Sequence, residues 1–356
     1  MTEDIYEKLR SKIDHFAIGV PATQSGIELK ILKKLYSLED AQLFLELNPT
    51  LEEPASVATR TGRDLIETAE QLETMAKKGL VFRLRRGKSV RYAMVPFVVG
   101  SYEFQLKRMD RELAEMMELY LEEGFLSQNM VNNVTPIRTV PVKKSLQADA
   151  QVAPYEDARE IVKKQKVISV ATCICQRQQE LLDQACDKPM EVCLAFGSHA
   201  DFYVENEMAR YIDVDEALKI LDQCDEAGLV NQPVSTVNPG GMCNCCGDCC
   251  GILRGLKKLD NPAKMIMSNY YARVDEQECS GCEVCIDRCQ MEAITMDDDL
   301  IAQINLNRCI GCGLCVTTCD SKAMLLERKS ADQLQIPPAS NIDLVKKTFA
   351  ARGITF

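Results

Sequence analysis

The sequence predicts an α+β chain of several units: a helical N-terminal part with one pair of short strands, a cysteine-rich α/β middle, and a small C-terminal unit built on an internal duplication. Three observations carry this. Apolar residues recur at helical spacing through the first third. A β-branched strand, Val167 to Ala171, runs directly into the first middle cysteines. Near the C-terminus, Cys279-x-x-Cys282-x-x-Cys285-x-x-x-Cys289 returns as Cys309-x-x-Cys312-x-x-Cys315-x-x-x-Cys319, offset by thirty residues at every position.

Bulk properties narrow the function classes. A chain of 356 residues suits two or three domains. Its 46% hydrophobic and 27% charged residues are ordinary for a globular protein. Eighteen cysteines are not ordinary. The start, Met1-Thr2-Glu3-Asp4, lacks the basic and apolar regions of a secretory signal, and no apolar run approaches ~20 residues. The expected location is the cytoplasm, with no membrane span. There, cysteines at ligand spacing mean metal rather than disulfides. A net charge of −11 disfavours bulk nucleic-acid binding and is compatible with docking to a basic patch on a partner.

In chain order, residues 1–127 form the first unit. Ile27, Ile31 and Leu35, then Leu43, Phe44 and Leu47, give helical periodicity. Pro54 opens a short helix, and Thr61-Gly62 turns into a longer one from Arg63 to Lys78. Leu65, Ile66, Ala69, Leu72, Met75 and Ala76 are its expected inward face, and Gly79 stops it. Strands Leu80–Leu84 and Val90–Val95 follow. This order resembles a winged-helix domain over residues 25 to 96. The resemblance implies DNA binding or protein docking. Seven basic residues from Lys77 to Arg91 favour DNA. The outward Glu67 and Glu70 of the second long helix favour docking or dimerisation. An amphipathic helix from Arg108 to Glu123 completes the unit, with Leu113, Met116, Met117, Tyr120 and Leu121 inward. Residues 128–154, with Pro136, Pro141 and Pro154, are expected to be an extended linker or arm.

The middle unit, 155–268, holds Cys173, Cys175, Cys186 and Cys193, and later the run Cys243, Cys245, Cys246, Cys249 and Cys250. Thiolates this dense repel one another unless a metal neutralises them. Iron–sulfur is favoured over zinc because the same chain carries the C-terminal repeat. Adjacent cysteines point different ways and do not easily chelate one iron, so Cys245 and Cys246 can serve different centres, as can Cys249 and Cys250; the spacing does not partition the nine. Cys224 lies on a helical apolar stripe closed by Gly228 and is expected to be a buried thiol. His199 is expected to be a packing or surface histidine. The layout Cys173-Ile174-Cys175, Cys186, Cys193 and Cys243-Asn244-Cys245-Cys246-Gly247 resembles a family of multi-cluster iron–sulfur proteins of anaerobes, over roughly residues 55 to 328. The nine cysteines could ligate one or two further clusters, and the resemblance implies two, of 4Fe–4S type. Asp248 stands where the family commonly has cysteine, so a ligand is lost or an oxygen replaces it.

Residues 269–329 carry the duplication, which resembles the two-cluster bacterial ferredoxins. Three cysteines two residues apart wrap one cubane and the fourth reaches the other. One 4Fe–4S cluster then takes Cys279, Cys282, Cys285 and Cys319, and the other takes Cys309, Cys312, Cys315 and Cys289. The fourth cysteine is expected at the start of a short helix. Gln290 and Asp320 stand where the family often has proline. Zinc, the rival, prefers separated Cys-x-x-Cys knuckles. The tail, 330–356, predicts a helix from Asn341 to Arg352 packing on a neighbour.

No P-loop, GxGxxG or catalytic triad is present. The expected function is single-electron relay to or from a partner oxidoreductase, a flavin or molybdenum/tungsten enzyme, in anaerobic metabolism. Two alternatives remain open: a redox-responsive DNA-binding regulator, and a self-contained reductase with an open-site cluster in the middle unit.

Overall fold

The computed structural model describes residues 4–16, 19–125, 135–142, 145–146 and 152–354. Helix α1 (Ile5–Asp14) starts on the Asp4 carboxylate, which accepts from the Tyr6 N–H. Helices α2 (Ile27–Leu35) and α3 (Leu38–Glu46) are separated by Ser37, which forms a reciprocal cap with Asp40. Helices α4 (Pro54–Thr61) and α5 (Leu65–Lys77) meet at Gly62, whose left-handed backbone makes the turn. Leu72, Met75 and Ala76 of α5 are buried as expected, but Leu65 and Ile66 are exposed. They occupy the first turn, beyond the edge of the core.

Strands β1 (Val81–Arg86) and β2 (Ser89–Met94) pair antiparallel around Gly87. The hairpin does not project. Phe82 packs on Phe202 at 5.1 Å, and buried Arg83 binds Glu73 and Glu205 at 2.7 and 2.6 Å. The chain then turns inward through Phe97–Ser101, where Val98, Val99 and Gly100 leave helical geometry, before α6 (Arg111–Tyr120).

The middle contains α7 (Ala158–Lys163), β3 (Ile168–Thr172), α8 (Ile174–Leu181), β4 (Glu191–Phe196), α9 (Ser198–Glu205), β5 (Ala209–Ile212), α10 (Val214–Glu226), β6 (Val230–Pro233), β7 (Gly241–Cys245) and α11 (Gly251–Lys257). The strands form one sheet of order β5-β3-β4-β7-β6. Every pairing is antiparallel. The expected α/β character is therefore corrected: the connections are not the right-handed crossovers that parallel strands need. Ile168, Val170, Leu194 and Phe196 pack with Ala217, Leu221 and buried Cys224 on one face. Ala171 and Ala195 face a second core shared with α1–α6 and α9.

The described part of the 128–154 arm lies on two partners. Arg138 and Val140 donate to Pro233 and Asn231 of edge strand β6, both at 3.0 Å. Thr139 donates to Met267 at 2.9 Å and Val142 to Cys312 at 3.0 Å. The arm thus covers a sheet edge and ties it to the C-terminal region. Residues 126–134, 143–144 and 147–151 of this stretch lie outside the described residues.

The C-terminal region pairs β8 (Tyr270–Val274) with β11 (Met324–Arg328), and β9 (Ile294–Met296) with β10 (Ala302–Ile304). Short helices α12 (Val284–Arg288) and α13 (Leu314–Thr317) lie between. The last helix, α14 (Asn341–Ala351), packs on the chain's own beginning: Phe349 meets Phe16 edge-on at 6.3 Å, and Arg352 binds the Asp14 carbonyl. No helix among the described residues is long and apolar enough to cross a membrane.

Candidate metal centres

All eighteen cysteines are free thiols, and seventeen of them fall into four groups. Cys224 stands apart, in the sheet core.

The duplication is repeated in the backbone. Left-handed residues occur in pairs thirty apart: Gly281 with Gly311, Glu283 with Gly313, Glu292 with Lys322. They bend each loop around its cysteines. Cys279, Cys282, Cys285 and Cys319 line one cavity together. Cys289 is close enough to Cys309, Cys312 and Cys315 to raise all three thiols, although burial is the larger cause; Cys312 reaches about 12. Backbone N–H groups of Ala272, Ala293 and Met324 donate to the sulfurs of Cys309, Cys289 and Cys319 at 3.3, 3.3 and 3.4 Å. Sulfurs that converge and are met by N–H dipoles suit a negatively charged cubane. The expected helix position of the fourth cysteine is corrected. Cys289 is the C-cap of α12, and Cys319 comes just after α13. Each short helix links the third cysteine to the fourth.

The nine middle cysteines divide into six and three. Cys173, Cys175, Cys193, Cys243, Cys245 and Cys250 surround one cavity, closed by Val98, Tyr102 and Glu103 from the N-terminal part. The sulfurs of Cys186, Cys246 and Cys249 lie within 4.8 Å of one another. Strand geometry makes the division. Cys243 and Cys245 point to one face of β7, and the next residue, Cys246, belongs to the opposite core. Cys250 caps α11 toward the six-cysteine cavity, while Cys249 turns away to Cys186, 3.5 Å between sulfurs. In the group of three, hydrogen bonds from the Cys249 side chain and backbone outweigh burial and draw the Cys246 thiol down. Asp248 does not join them. Its carboxylate pairs with Lys188 at 2.7 Å.

Several residues that shape these sites carry no cysteine-like signal in sequence. Glu118 of α6 accepts from Gln178 and Gln179 of α8 at 2.9 and 2.8 Å, and from Arg254 of α11 at 3.0 Å. It thereby clamps the two helices that begin at Cys173 and Cys250. Tyr102 donates its single O–H to Gln178 at 2.7 Å and walls the cavity beside Cys175. Gln290, in the place of the expected proline, accepts from the Gly247 N–H at 2.6 Å. It joins the dense cysteine run to the loop of Cys289. A charged residue at helical spacing from an apolar stripe, as Glu118 is, was the only hint available.

Residues 278–328 match the family described as 4Fe-4S dicluster domain, which implies 4Fe–4S binding there. Comparison with curated proteins found no match, and comparison with solved structures found none. The match and the grouped middle cysteines together mark an iron–sulfur protein fitted for electron transfer.

Proposed function

We propose that the chain is a multi-cluster electron relay passing single electrons to or from a partner oxidoreductase in anaerobic metabolism. Bound 4Fe–4S clusters would supply one-electron redox chemistry at potentials set by burial, charge and hydrogen bonds to sulfur. Two would be held by Cys279, Cys282, Cys285 and Cys319, and by Cys309, Cys312, Cys315 and Cys289. A third fits the six-cysteine cavity, and Cys186, Cys246 and Cys249 form a three-thiolate site with an open position. The observation that carries this reading is the hydrogen bond from Gly247 to Gln290, which makes the middle and C-terminal sulfur sites neighbours. Cys245 and Cys250 also share one apolar core with residues flanking the C-terminal loops, such as Met291, Ile310 and Leu314.

Anaerobic iron and acid-labile sulfide counts with EPR test it. About sixteen irons fits four clusters, about twelve leaves the three-thiolate site to another metal, and about eight confines iron to the C-terminal pair and ends the relay through the middle.

Partner docking is favoured over DNA for the N-terminal part. Lys78 pairs with Asp40, and Arg83 and Arg85 with Glu73 and Glu205, so three of the seven basic residues are neutralised internally. Exposed Leu65 and Ile66 on α5, beside Glu67 and Glu70, suit a basic-rimmed protein surface or a second copy of the chain. The partner is proposed to be a flavin or molybdenum/tungsten enzyme. Ile66→Asp is expected to break any complex or dimer seen by light scattering while leaving the iron content unchanged.

A further inference from the structure

A larger cavity, of about 460 Å³, adjoins the six-cysteine site. The sheet forms its floor, the β1–β2 hairpin and the Val95–Phe104 segment its sides, and α14 its roof. Cys193 and Cys243 line both cavities.

Its chemistry restricts what can enter. The walls are mainly aliphatic and aromatic, and the one cation among the described lining residues, Arg86, is exposed at the mouth. A phosphate or carboxylate carried inside would lie unpaired in a low-dielectric space, which excludes nucleotides and organic acids. On one wall the His199 imidazole stacks on Phe82 with ring centroids 4.8 Å apart and planes 29° apart. Burial lowers the His199 pKa to about 4, so the ring is neutral and offers one N–H. Gly240 lies against the Nδ1–Cε1 edge of that ring, where a Cβ would stand 2.7 Å from Nδ1. In the floor, fully buried Gln232 pairs in the ladder with Cys243, and neither of its amide atoms has a hydrogen-bond partner. A buried amide without partners is costly unless something absent from the chain completes it.

We propose that this cavity binds an uncharged, planar aromatic carbonyl compound of the quinone class, packed against its apolar walls, with one carbonyl oxygen accepting in the plane of the His199 ring and the other from Gln232. Binding needs only the cavity. Its use rests on the electron-relay reading: an acceptor held here lies against Cys193 and Cys243. Two electrons from a low-potential donor, arriving singly through those cysteines' centre, and two protons from water convert both C=O groups to C–OH and give the hydroquinone.

The probe is duroquinone, whose four ring methyl groups block addition by cysteine thiols. Equilibrium dialysis against the anaerobically loaded full chain is expected to show one saturable site. His199→Phe keeps the stacked ring but removes the donor and is expected to weaken binding about tenfold, with partial recovery in His199→Gln. Val345→Trp, in the roof, fills the cavity and abolishes binding. Iron content and dithionite bleaching should match the parent protein in all three. Protein reduced with dithionite, then freed of it by gel filtration, is expected to form hydroquinone. Binding without reduction would leave the site assigned and remove the relay to it. No saturable binding, binding indifferent to Val345→Trp, or tighter binding of FMN than of duroquinone would overturn the proposal.

Discussion

Glu283 and Gly313 hold matching places in the two cysteine loops, with φ of +62° and +77°. Only the second must be glycine, because a Cβ there would stand 2.1 Å from the Ser145 hydroxyl of the arm. Glu283 meets no such neighbour and carries the left-handed strain in an exposed loop. Glu283→Gly is therefore expected to raise stability by up to about 1 kcal/mol in an anaerobic thermal melt, and Gly313→Ala to lower it by about 2 kcal/mol. Gln290 makes the same point about side chains in place of a family residue. Gln290→Leu leaves the Gly247 N–H without its acceptor and should cost about 1–2 kcal/mol with the iron count unchanged. His199 adds a pH dependence. Its folded pKa is about 4, below the ordinary 6.5, so the unfolded chain takes up a proton that the folded chain refuses. Stability should fall as pH drops from about 6.5 toward 4, and the His199→Phe profile should be flatter across that window.

Among elements, α8 and α11 determine the six-cysteine cavity, and Glu118 holds them. Burial alone would raise the Glu118 pKa, but hydrogen bonds from Arg254, Gln179 and Gln178 outweigh it and the net shift is downward. Glu118→Ala should cost about 2 kcal/mol, between the exposed and the buried ion-pair limits. It should release iron from the middle site before the C-terminal pair, followed by the EPR signal that survives mild heating. The partition of the middle cysteines was partly legible. Alternation along β7 separates Cys245 from Cys246 once the strand is recognised. What sequence could not supply was the sheet order that brings Cys173 and Cys193 to Cys243, since ladder register is set by packing between distant segments. The same gap explains the α/β expectation for the middle: one strand followed by a helix does not reveal the direction of its neighbours. The exposure of Leu65 and Ile66 was likewise hidden, because helical period locates a stripe but not where its cover ends.

At the scale of the whole molecule, the C-terminal loops were readable because their ligands are local, within ten residues in each copy. Everything that closes the larger cavity is non-local. Its floor is the middle sheet, its sides are the β1–β2 hairpin and the segment after it, and its roof is α14, which anchors on α1. Loosening α14 from α1 would therefore unroof Cys193 and Cys243 without touching a single sulfur ligand.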